Sequence, residues 1–237
     1  MLKRSSRSLV VLGVLFSLSS IFVYFLLVRH RFKIIVVHHT AFDKGGYRKI
    51  WEIQKKRHPG WKEIAYHLIL SNGTEETPPG YLRATSRYRW LWISLATRNK
   101  KCNITGVHIC IVGNYEEHPV PDELKPAIGH AIRLLQKKYG IPDDKILFHR
   151  DCSPTSCPGK YITKKELLRW VHELADECPE DVKRQQRRVI DFTWVSIIKY
   201  AGIILILISL ALWLFETATG KKRFKPSPFP SQVHRKS

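Results

Sequence analysis

The sequence predicts an α/β fold, a central β-sheet with helices on its faces, carried between an N-terminal and a C-terminal transmembrane helix. Three observations predict it. Short β-branched apolar runs alternate through the middle of the chain with amphipathic stretches of helical period. Two apolar runs, one near each end, have membrane-spanning length, 9–28 without a charge and 194–215 with Lys199 inside it. What lies between them is about 150 residues, the size of one domain able to bury a real core.

KIIVVH at 33–38 is continuous, apolar and β-branched, and reads as a buried strand. YRKIWEIQKKRH follows at helical spacing, with Ile50, Ile53 and Arg57 on adjacent turns, and stops at Pro59-Gly60. IAYHLIL at 64–70 and GVHICIVG at 106–113 read as two more buried strands, and KILFH at 145–149 as a fourth. The stretch 71–105 has few periodic signals and reads as a long excursion. DELKPAIGHAIRLLQKKYG carries Leu124, Ile128, Ile132 and Leu135 on one face and ends at Gly140 as a C-terminal cap. TKKE at 163–166 is a capping box, opening a third helix that buries Leu167, Val171 and Leu174.

Charge sorts the ends from the middle. The formal net charge is +20, but residues 1–33 hold +6 of it and residues 183–237 hold +9, which leaves +5 on the middle. That distribution excludes a nucleic-acid binder, whose bases belong on the folded domain with aromatic residues among them. Hydrophobic residues at 44% exclude disorder for most of the chain. The expected organisation is a basic N-terminus at 1–8, a span at 9–28, a domain at 33–178, a basic linker at 179–193, a second span at 194–215 and a basic, proline-containing tail at 216–237. At 9–28 no small-x-small cleavage site follows the apolar run, so an anchor is favoured over a signal peptide. Basic residues flank both sides of each span, so charge does not orient them. Five cysteines leave at least one outside any disulfide, and their pairing is not legible from the sequence.

Two segments hold candidate chemistry. His38-His39-Thr40 closes the first strand, and His149-Arg150-Asp151 closes the last, followed by a Pro-containing loop to Cys157. Loops at strand ends converge on a rigid sheet, where an α/β fold puts its ligands. Two strand-end histidines and a cysteine match the donor types of a catalytic zinc site with one open position, although a lone strand-end histidine is more often a hydrogen-bonded structural residue. The HRD tripeptide without a Gly-rich loop or DFG is not a kinase signature.

Taken in order, VVHHTA (36–41), GWKEIAYHLIL (60–70), GVHICIVGNY (106–115) and LFHRDCSPTSCPGK (147–160) resemble the zinc-dependent N-acetylmuramoyl-L-alanine amidases of the peptidoglycan recognition protein and phage-lysozyme-like family. The resemblance implies a central mixed β-sheet flanked by helices. It implies a zinc ion on His38, His149 and Cys157, with Tyr66 and Thr155 as catalytic residues that donate to the developing oxyanion. The implied reaction is hydrolysis of the amide between N-acetylmuramic acid and L-alanine in peptidoglycan or muropeptides, the alternative being a module that binds muropeptides without cutting them. With that substrate the domain belongs on the outer side of the cytoplasmic membrane, anchored in the bilayer by both spans. His39 and His67 are second-rank candidates, each read first as a structural histidine beside the site. Two positions depart from the family: WLWISLATRNKKCN at 90–103 lacks the usual Ala-His pair, with Asn99, Lys100 and Lys101 offered instead, and His108 stands where the family usually has glycine.

Overall fold

In the computed structural model of the chain the described residues are 13–16, 18–20, 22–23, 31–75, 77–192, 203–204, 206–208, 210–211 and 214–215. The sheet is built on β1 (Ile34–His39), whose six residues run between two parallel neighbours, β4 (Gly106–Ile111) and β5 (Ile146–Phe148). β2 (Leu68–Leu70) adds in parallel to β4, and β3 (Leu82–Ala84) closes the other edge antiparallel to β2. The order is β3-β2-β4-β1-β5, a mixed sheet of five strands.

Continuous apolar strands are what a sheet covered on both faces requires. On one face Ile35, Val37, Leu68, Leu70, Ile109 and Ile111 pack with Ile128, Ile132 and Leu135 of helix α4 (Lys125–Tyr139). On the other, Ile69 and Val112 meet Ile50 of α1 (Tyr47–Arg57). Within the excursion lie α2 (Ser86–Arg89) and α3 (Lys100–Thr105) besides β3. After β5 come the single-turn α5 (His149–Cys152) and α6 (Lys164–Arg169), whose Thr163 caps the Glu166 amide. A wider-wound turn at Trp170–Leu174 follows.

Two elements depart from the sequence reading. β3 is three residues long, LRA, and has no periodicity to betray it. Residues read as a basic linker contain helix α7 (Glu180–Asp191), which buries Val182, Gln186 and Ile190 at successive turns. Its anchor is polar: Gln186 accepts through Oε1 from His130 Nδ1 at 2.7 Å and donates through Nε2 to the carbonyls of Gly80 (2.7 Å) and Ala127 (3.0 Å). The Tyr88 hydroxyl adds a bond to the Ile190 carbonyl at 2.6 Å.

The two transmembrane helices, and with them the membrane location and the bilayer as a partner, are corrected. Among the described residues no helix is long and apolar enough to cross a membrane. A span takes about 20 consecutive apolar residues in one helix, and no described helix combines that length with that composition. Most of 9–28 and 194–215, and all of 1–8 and 216–237, lie outside the described residues.

Replacing Gln186 by Leu strands the three groups it serves. The expected cost is about 1–3 kcal/mol, the penalty for buried polar groups without partners, read by urea unfolding; unchanged stability would mean that α7 does not depend on this anchor.

Candidate metal centre

The C-terminal ends of β1 and β5 meet at one edge of the site because the two strands are parallel neighbours, with Val37 opposite Phe148. His38 is the next residue on β1, and His149 opens α5 directly after β5. Their rings stand 4.7 Å apart. The third contributor comes from the loop after α5, which returns Cys157 to the same point: its Sγ lies 4.0 Å from His38 Nδ1. The ligand atoms of His38, His149 and Cys157 all fall within 4.8 Å of one another, and among the described residues this is the one such group of metal-ligating side chains. Two imidazoles and a thiol are a zinc donor set. Bonds of about 2.0–2.3 Å to one ion require only small side-chain movements from this spacing. Tyr66 joins the cluster, its ring 5.0 Å from that of His38. Thr155 is exposed on the same loop, its Oγ1 accepting from the Cys157 amide at 3.3 Å.

Burial sets the electrostatics. It pushes the pKa of His38 well below the usual histidine value, with His108 and His149 adding to the effect, and lowers that of His149 as well. Both rings are thus neutral, the form that offers a lone pair to a metal. Burial raises the Cys157 thiol to about 12 and holds the Tyr66 hydroxyl well above its ordinary value, so Tyr66 keeps its proton.

The HRD tripeptide divides into three roles. His149 faces the cluster. Arg150 reaches over the cysteine loop and donates to the carbonyls of Gly159 (3.0 Å), Ser156 (3.3 Å) and Ile162 (2.8 Å), while its own amide donates to the Cys157 carbonyl at 3.0 Å. Asp151 accepts from the Phe148 amide at 2.7 Å and fixes the start of α5. The loop presses close enough to need glycine at 159: φ is +98°, and a Cβ there would lie 2.2 Å from the Tyr115 backbone. A disulfide between Cys152 and Cys102 ties the end of α5 to α3. Arg150 and the disulfide escaped the sequence reading; both depend on chain segments that only the fold brings together.

The second-rank histidines are occupied. His39 Nδ1 accepts from the Tyr115 amide at 3.1 Å, and the His39 amide donates to Cys157 Sγ at 3.4 Å. His67 is bonded through Nδ1 to the His108 amide and through Nε2 to the Trp92 carbonyl. Asn99 caps α3 by accepting from the amides of Lys101 and Cys102. Beside Tyr66 opens a groove of about 290 Å³, walled by Thr40, Phe42, Ile50, Ile53 and Arg57.

A family model described as N-acetylmuramoyl-L-alanine amidase matches residues 29–160, more than half of the chain. The chain belongs to this amidase family. Among solved structures it is similar to the N-acetylmuramoyl-L-alanine amidase LysC from Clostridium intestinale, at 24% identity over 59% of this chain and 84% of that one, with a TM-score of 0.46. It is similar also to the Ph2119 endolysin of a Thermus scotoductus bacteriophage, at 20% identity over 60% and 85% of the two chains and a TM-score of 0.45. For wild-type PGRP-LB of Drosophila the identity is 19% over 56% and 86%, with a TM-score of 0.44. No curated protein matches the chain.

Two outcomes test the architecture of the loop. Replacing Cys102 and Cys152 by Ala together opens a link across 50 residues, for which a loss of about 2–4 kcal/mol is expected in thermal or urea unfolding. Arg150→Met removes the clamp, and cleavage between residues 153 and 162 in limited proteolysis should quicken at least about tenfold, the equivalent of one lost charged hydrogen bond; an unchanged rate would mean that the loop is held by other contacts.

Proposed function

We propose that this chain hydrolyses the amide bond between the lactyl group of N-acetylmuramic acid and L-alanine in peptidoglycan or its muropeptide fragments, with zinc held by His38, His149 and Cys157. The observation that carries the reading is the convergence of those three side chains with Tyr66 beside an open groove. Membership of the amidase family supports the reaction class.

Zinc in such a set supplies a water of lowered pKa and a Lewis acid for the scissile carbonyl. The protein's own groups do the rest. Tyr66, kept protonated by burial, donates to the carbonyl oxygen as it gains negative charge, and a donor aimed there acts on the transition state more than on the substrate. Thr155 is the second donor: its oxygen already accepts the Cys157 amide, which leaves the hydroxyl proton for the substrate. The groove receives the muropeptide, with Arg57 as the cation on its wall.

Incubation of the full chain with muropeptides should release new L-alanine amino termini, abolished by a chelator and restored by zinc. Cys157→Ser should lose both zinc and cleavage. Tyr66→Phe should keep zinc while kcat falls about 10²- to 10³-fold, the usual cost of removing one oxyanion donor. Muropeptide binding without new amino termini would replace the enzyme by a recognition module.

A further inference from the structure

We infer that His108 is a positioning residue for this centre: it holds His38 in the tautomer that carries its proton on Nε2, which leaves Nδ1 bare on the side of Cys157, where a metal would be held. The inference rests on the zinc reading above. Its starting point is a carbonyl. The Cys102 oxygen can only accept, and it lies 3.0 Å from His108 Nε2, so that nitrogen carries the ring proton. In a neutral ring His108 Nδ1 is then an acceptor. It faces His38 Nε2 at 3.0 Å, which must therefore be the donor. A neutral His38 has one ring proton, so its Nδ1 is left unprotonated, and Nδ1 is the atom that approaches Cys157 Sγ at 4.0 Å.

Strand register makes this chain of bonds possible. Val36 pairs with His108 and His38 with Cys110 in the parallel ladder, so His38 and His108 project from one face, two residues out of step on adjacent strands. Their ring planes lie 26° apart with centroids at 5.2 Å, close to the edge-to-edge arrangement that a bond between two ring nitrogens needs. The far end is given room by Gly106, where a Cβ would stand 2.5 Å from the Cys102 oxygen and 2.8 Å from His108 Nε2. The anchor is itself fixed, since Asn99 caps α3 and the disulfide joins Cys102 to Cys152 at the end of the helix that begins with His149. Partners that orient a ligating histidine in this way commonly change metal affinity when removed. The bulk at His108, a departure from the family pattern, is thus the ring that serves His38.

The test uses the purified full chain and two variants. His108→Val removes the acceptor, and His108→Asn restores an acceptor atom near the place of Nδ1. Zinc affinity, read by chelator competition, should fall about 10- to 100-fold in the Val variant and recover at least in part in the Asn variant, with the circular dichroism of the zinc-free proteins unchanged. In the metal-free wild type, ¹⁵N NMR should find the His38 proton on Nε2. A His38 proton on Nδ1 overturns the inference, and this reading decides alone if the Val variant does not fold. Equal losses in both variants indicate a purely structural role and overturn it as well. Unchanged affinity in the Val variant, with zinc lost in Cys157→Ser, overturns the positioning role and leaves the zinc reading standing. A wild type that binds no zinc overturns both.

Discussion

The parallel pairing of β1 with β4 on one side and β5 on the other is the constraint on which the site depends. It aligns three strand ends, so that His38 and His149 arrive together without either belonging to a flexible segment. It also fixes which residues share a face. A slip of one residue in β1 would turn His38 towards the core occupied by Val37 and Ile109 and bring a valine to the cluster. The deep burial of both strands makes such a slip costly, because every apolar side chain would change face together. Sheet packing and site geometry are therefore one specification.

What could be read in the sequence follows from how local the signal is. Continuous runs such as IIVVH and the Leu124, Ile128, Ile132, Leu135 stripe announce themselves because burial on the sheet demands them. β3 was invisible because three residues paired at an edge need no pattern. α7 reads as a linker in sequence because EDVKRQQRRVID is mostly charge: its buried line is Val182, Gln186, Ile190, with an amide at its centre doing by hydrogen bonds what a leucine does by burial. The apolar runs near the ends have the hydropathy of spans, yet among the described residues no helix is long and apolar enough to cross a membrane.

For the site, the sequence offered residue types and strand-end positions, and the ordered motifs selected His38, His149, Cys157 and Tyr66 from eleven histidines and five cysteines. Their convergence needed the fold. Still less legible were groups that act on other groups. Arg150 is one position from a candidate ligand, yet its partners are carbonyls 6 to 12 residues away in a loop of unpredictable path. His108 is on a different strand from His38, and only register relates them.

These supporting groups bear on what metal binding would cost. A centre whose ligands come from three chain segments must either be ordered by the ion, which spends binding energy on conformational entropy, or be ordered beforehand. Here His38 is wholly buried in a central strand, His149 sits on a turn closed by Asp151 and tied by a disulfide, and the most exposed segment, the cysteine loop, is held by four hydrogen bonds from Arg150 and the close approach of Gly159 to Tyr115. The ordering is built into folding of the domain, so the proposed ion would meet a cradle already formed.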